Sequence, residues 1–304
     1  MGQSATEQVV FGCGLHRIEA HFDLDQLTSD GGLLWLAEAE EELGLCAAFS
    51  RTIPDWRRSP VQHPLTALVR QRVFQIAAGY ADQNDATTLR YDPLFQLCCE
   101  RAATLASQPT LSRLDNAADA ATCAALAGVL RDCYLDQRER HGPPEHLLLD
   151  LDSTDDPTHD EQEGSAYHGY HRQHMYHPLL AFDGETNQLI STRLRRGNAH
   201  ASWEAVDEVE RIVTGMRERW PGVTIDLRAD GGFAVPELYD ACEAWTIDYT
   251  IGLPPNSRLE TLAAPLVAQA EAQYEQTPRS ACLARPATKQ VAGPMRAASS
   301  SRSR

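Results

Sequence analysis

From Ser29 to about residue 140 the apolar positions recur three and four apart, the period of helices with one buried face. Leu33, Leu34, Leu36, Ala37 and Leu43 follow a Ser29-Asp30 cap, and Leu65, Leu68, Val69, Val73, Ile76 and Ala77 make a second stripe ending near Gly79. Pro54, Pro60, Pro64, Pro93 and Pro109 cut the stretch into short helices, because proline lacks an amide donor and clashes with the preceding turn. The segment 109–114, Pro-Thr-Leu-Ser-Arg-Leu, has two readings: the start of a small DNA-reading helix, or a packed bundle helix, which the pattern favours.

At His141-Gly-Pro-Pro the pattern changes to alternation. Strands are predicted at 146–152, 167–183, 188–195, 223–229 and 247–252, with short helix 236–243 before the last. Ser202 is the predicted cap of a helix whose apolar face is Trp203, Val206, Val209, Ile212, Val213 and Met216, and a final helix covers 259–276. Three strands, a helix, a strand, a helix, a strand and a helix is the order of a ribonuclease H-like fold. The expected architecture is therefore α/β: a mixed sheet with flanking helices, preceded by an all-α N-terminal domain. The expected domains are 1–140, helical and a candidate DNA binder; 145–277, catalytic; and 278–304, a disordered basic tail.

Alternation also assigns faces. Leu147, Leu149 and Leu151 point one way and Asp150 and Asp152 the other; Val223, Ile225 and Leu227 oppose Asp226, Arg228 and Asp230. If the first and fourth strands are parallel neighbours, Asp152 and Asp230 face one site about a strand spacing apart. A carboxylate pair of that kind is a minimal cradle for Mg²⁺ in phosphoryl transfer.

Composition narrows the setting. The 304 residues are 42% hydrophobic and 23% charged, as in a globular protein, and no run approaches the length of a membrane helix; a cytoplasmic protein is expected. The net charge of −16 excludes a surface that grips nucleic acid everywhere, so any DNA contact is local. Basic clusters occur at Arg51, Arg57, Arg58, Arg70 and Arg72 and at Arg193, Arg195 and Arg196, and are read as solvated faces. Eight cysteines without a C-x-x-C pair are expected to be reduced and structural.

Several segments carry a resemblance. Leu149-Asp-Leu-Asp-Ser-Thr-Asp-Asp-Pro (149–157), Tyr167-His-Gly-Tyr (167–170), Arg195-Arg-Gly-Asn-Ala-His-Ala (195–201), Arg228-Ala-Asp-Gly-Gly-Phe (228–233) and Tyr249-Thr-Ile-Gly-Leu (249–253) resemble the DDE transposases of bacterial insertion sequences, the thirteen-eighty group most of all. Ala78-Gly-Tyr-Ala-Asp-Gln-Asn-Asp (78–85) and the run 105–114 join them, so the resemblance spans roughly 15–277. It implies that Asp152 and Asp230 are the first two catalytic carboxylates. It also implies Mg²⁺ or Mn²⁺ as cofactor, transposon ends and target DNA as partners, and a homo-oligomer when full length.

The resemblance further implies a glutamate on a late helix, which no motif here supplies; Glu260 and Glu271 are the remote substitutes. From Pro278 onward there are six basic residues, while all 43 acidic residues precede it. That change is read as a frameshift or truncation, giving a chain with slow or absent cleavage. Two alternatives follow: a non-catalytic inhibitor that binds DNA or subunits, and a metal-dependent phosphoesterase built on His159, His168, His171, His174 and His177. On one continuous strand His168 and His174 would face one side and His171 and His177 the other.

Overall fold

The computed structural model describes residues 8–13, 16–21, 28–58, 61–101, 103–140, 142–159, 162–254 and 256–276. The expected basic tail at 278–304 lies outside them. The chain divides into two compact units, 1–129 and 130–304.

The first unit opens with a hairpin, β1 (Gln8–Cys13) and β2 (His16–His21), paired antiparallel from Gln8↔His21 to Cys13↔His16. This corrects the expectation of an all-α N-terminal domain. Phe11 is buried and Val9, Ile18 and Ala20 pack on the same core, so the two strands lay one apolar face on the helices. Then come α1 (Leu33–Leu43), α2 (Leu45–Thr52), α3 (Leu65–Ala77), α4 (Ala86–Leu89), α5 (Pro93–Cys98), α6 (Gln108–Asp115) and α7 (Ala120–Arg140). Gly44 separates α1 from α2 in the left-handed region, φ +63°, where its amide caps Glu40. Asp92 caps α5 by accepting from the Phe95 amide at 2.9 Å, just before the Pro93 that starts the helix. In α6, Leu111 and Leu114 are buried, which is the packed reading of that segment.

The division between the units falls inside α7, and Tyr134 and Leu135 belong to the second core. That unit contains β3 (His146–Ser153), β4 (Asp156–Pro157), β5 (Ala166–His168), β6 (Gln173–Tyr176), β7 (Leu179–Asp183), β8 (Leu189–Arg193), α8 (Ala205–Arg219), β9 (Thr224–Ala229), α9 (Pro236–Ala244), β10 (Asp248–Ile251) and α10 (Ser257–Gln276). Five strands form a mixed sheet ordered β10-β9-β3-β7-β8, in which β3, β9 and β10 are parallel and β7 and β8 antiparallel. This is the expected mixed sheet with flanking helices. Its core joins Leu147, Leu149 and Leu151 of β3 and Ile225 and Leu227 of β9 to Val209, Ile212, Val213 and Met216 of α8.

Two boundaries differ from expectation. Helix α8 starts at Ala205, with Glu204 at φ +60° as its cap residue, and the Ser202 hydroxyl bonds the His200 ring at 2.8 Å instead of capping. The segment 167–183 is three strands: β5 and β6 form a hairpin that, with β4, makes a separate three-stranded sheet ordered β4-β6-β5. Among the described residues no helix is long and apolar enough to cross a membrane.

Candidate active site

β3 and β9 run parallel in the register Asp150↔Arg228 and Leu151↔Ala229. Asp152 follows Leu151 within β3 and Asp230 directly follows Ala229, the last residue of β9, so both aspartates lie at the same end of the parallel pair. The inward leucines are buried while Asp152 and Asp230 are exposed, so alternation sends both carboxylates off the core. Each is oriented by its own backbone. Asp152 accepts from the Ser153 amide at 2.8 Å, and Asp230 accepts from the Gly232 amide at 2.8 Å as it caps a short 3₁₀ turn. Gly232 has to be glycine, because a Cβ there would lie 2.8 Å from the Ala201 Cβ and 3.0 Å from an Asp230 oxygen.

Both aspartates line a cavity of about 570 Å³ with Asp150, Leu151, Phe182, Asn187, Arg228 and Ala229. Asp150 is engaged: its two carboxylate oxygens accept from the Arg228 guanidinium. That bond, chiefly, raises the Arg228 pKa above its ordinary value. Two carboxylates that form no ion pair among the described residues, at the ends of neighbouring strands, are hard oxygen donors that leave most of a cation's coordination sphere to water or to phosphate oxygens. Mg²⁺ chemistry asks for that donor set. Among the described residues no group of three or more His, Cys, Asp and Glu side chains is arranged to hold a metal. Glu260 and Glu271, on the exposed α10, are not among the residues lining the cavity.

The histidines are arranged otherwise than a continuous strand would place them. A turn between β5 and β6 brings His168, His171 and His177 together, with ring centroids 4.9 Å (168 to 171), 4.8 Å (168 to 177) and 5.8 Å (171 to 177) apart. His174 instead meets Tyr167 edge-on at 5.7 Å. His177 is buried, and its Nδ1 lies 2.8 Å from the Ala199 carbonyl oxygen. Burial, above all, lowers the pKa of His177, and also that of His168. His159 is exposed and has no ring contact with the three.

Four of the eight clustered arginines pair with carboxylates, while Arg51, Arg58 and Arg196 are exposed, as a solvated face would be. Arg70 is buried against Glu100 at 2.6 Å, Arg72 bonds Asp115 at 3.0 Å, and Arg57 bonds Asp55. Arg193 bonds Glu204 at 2.9 Å. Arg195 is buried, donating to the His177 carbonyl at 2.8 Å, Ala201 at 2.8 Å and Trp203 at 2.7 Å; burial pushes its pKa down to about 10. The sequence shows the arginines but not the backbone carbonyls that hold this one.

A family model described as transposase DDE domain group 1 matches residues 12–299. The match runs past Thr277, where the sequence resemblance was expected to stop. No curated protein matches the chain significantly. Among solved structures it is similar to a chain of the simian T-cell lymphotropic virus intasome in complex with PP2A regulatory subunit B56 gamma, at 17% identity over 53% of this chain and 54% of that one, TM-score 0.26. It is similar to the piggyBac transposase synaptic complex with hairpin DNA at 13% identity, over 77% and 52% of the two chains, TM-score 0.35. For the Mos1 transposase paired-end complex with left transposon end, the values are 11%, 82% and 85%, and 0.26. The chain thus spans about half the length of the first two, and at such TM-scores the family match alone carries weight.

Proposed function

The chain belongs to the transposase DDE domain group 1 family, and on that premise we propose that its second unit breaks and joins DNA phosphodiesters at Asp152 and Asp230. The observation that supports this reading is that both carboxylates, at the same end of parallel neighbours β3 and β9, line one cavity. Asp152 and Asp230 would hold Mg²⁺ or Mn²⁺, which when bound supplies an activated water or 3′-hydroxyl and stabilises the leaving oxygen. The protein's own part is positioning. The Ser153 and Gly232 amides fix the carboxylates, and the Arg228 guanidinium, held by Asp150, lies beside them at the cavity. Transposon ends and target DNA are the proposed substrates.

Divalent-cation-dependent nicking of plasmid carrying the element's ends tests the reading, with Asp152→Asn and Asp230→Asn beside the unaltered chain. Each substitution is expected to abolish nicking without shifting the urea midpoint, since both side chains are exposed. Nicking that survives both substitutions rejects the assignment.

A further inference from the structure

The sheet β4-β6-β5 grows directly from the candidate site, because the chain leaves Asp152 on β3 and enters β4 at Asp156, which pairs with Tyr176 of β6. Its surface is out of character for a domain exterior. Tyr170, at the hairpin turn, is 86% exposed, Tyr167 is 55% exposed and Trp203 is 40% exposed. Trp203 belongs to the segment that packs against this hairpin. The Gly197 amide donates to the Gly164 carbonyl at 3.1 Å and the His177 amide to the Arg195 carbonyl at 3.2 Å. Each ring has a cationic or imidazole neighbour: the Arg196 guanidinium sits 5.0 Å over the Trp203 ring, His174 meets Tyr167, and His171 meets Tyr170 at 5.1 Å. Arg172 and Arg196 are exposed, and neither pairs with a described carboxylate, whereas nine described arginines in this acidic chain do.

We propose that this aromatic hairpin and the Arg196–Trp203 segment bind unpaired DNA, the bases stacking on Tyr167, Tyr170 and Trp203 while the phosphates meet Arg172 and Arg196. The chemistry selects the strand state. Exposed rings offer flat faces to bases, which a closed duplex keeps stacked on one another, and ring faces with nearby cations suit a strand that alternates base and phosphate. The proposal rests on the transposase reading and adds a place for nucleotides freed beside the cleavage site.

The test is fluorescence anisotropy of the full chain with a labelled oligothymidylate and with a duplex of the same length, in EDTA so that no cleavage contributes. The variant Tyr167→Ala/Tyr170→Ala is expected to bind the single strand about 10- to 100-fold more weakly, with duplex affinity changed by less than about twofold. Tyr167→Phe/Tyr170→Phe keeps the ring faces and should bind as the unaltered chain does. Unchanged single-strand affinity in the alanine variant overturns the proposal. So do equal losses on both DNAs, failure of the phenylalanine variant to rescue, or absence of single-strand binding at the outset. The nicking assay is independent: Asp152→Asn and Asp230→Asn chains that still nick remove the active-site reading and leave the stacking result standing. Normal binding by the alanine variant removes stacking alone.

Discussion

Gly197→Ala is expected to be among the most damaging single-methyl additions in the second unit. A Cβ at this position would lie 1.8 Å from the Met175 carbonyl oxygen, 2.6 Å from that of Ala166 and 2.9 Å from the Ala166 nitrogen. All three are backbone atoms, so no side chain can swing aside. Met175 is fully buried and paired with both Pro157 and Ala166, which leaves the oxygen no room to retreat by the ångström or more required. The loop must lift instead, giving up the Gly197-to-Gly164 and His177-to-Arg195 hydrogen bonds. Two bonds at about 1 kcal/mol each, with about 1–3 kcal/mol of overpacking, put the loss at about 3–5 kcal/mol. With a urea slope of about 2 kcal/mol/M the midpoint should fall by about 2 M, read from tryptophan fluorescence. Gly222→Ala, where a Cβ meets nothing within 4 Å, is the control and should stay within about 0.5 kcal/mol. Coincident curves for the two variants would refute the packing argument, and with it the rigid platform on which Tyr170 and Trp203 are presented.

Glu208 is buried, accepts from Ser191 at 2.5 Å and pairs with Arg211 and Arg193; Glu208→Ala should lower stability by about 3–5 kcal/mol in urea titration, a loss a purely exposed ion pair would not show. Tyr134→Phe removes the hydroxyl that donates to buried Asp183 at 2.8 Å and should cost about 1–3 kcal/mol by the same measurement, with little change in packing. His177 has its folded pKa lowered from 6.5, chiefly by burial, so its contribution is complete above about pH 6.5 and is lost as pH falls toward the folded value. His146, raised chiefly by its bond to Asp226, acts in the opposite sense: its contribution is present below pH 6.5 and lost as pH rises through the folded value. Urea midpoints against pH should therefore fall less steeply below 6.5 for His177→Gln than for the unaltered chain; parallel slopes would dismiss the linkage.

The aspartate pair was legible because a period of two fixes faces wherever one face is packed, and the leucines of β3 and β9 pack one face completely. The order of strands and helices fixed which strands neighbour each other, and so set Asp152 and Asp230 at the same end of the β3–β9 pair. The hairpin at 168–173 was not legible. Its tyrosines and histidines read as strand, and its turn places Arg172, not a glycine or asparagine, at φ +57°. The β1–β2 hairpin is visible in retrospect from the alternation of Ile18 and Ala20 with Arg17, Glu19 and His21. The burial of Arg195 left no trace in the sequence, because its partners are carbonyls that the loop folds around it.

The central place of β3 has a consequence for synthesis. It is made before both neighbours, and Arg228 of β9, which bonds Asp150, lies 78 residues downstream. At about 5–20 residues per second the ribosome takes roughly 4–16 s to deliver that strand. Until then a leucine-rich strand has a bare edge, open to pairing with any other nascent chain. Asp150 and Asp152 interrupt that edge with charge. Asp152, proposed to serve the reaction, would thus also act with Asp150 as a gatekeeper of the half-built sheet, and neutralising both should reduce the yield of native protein.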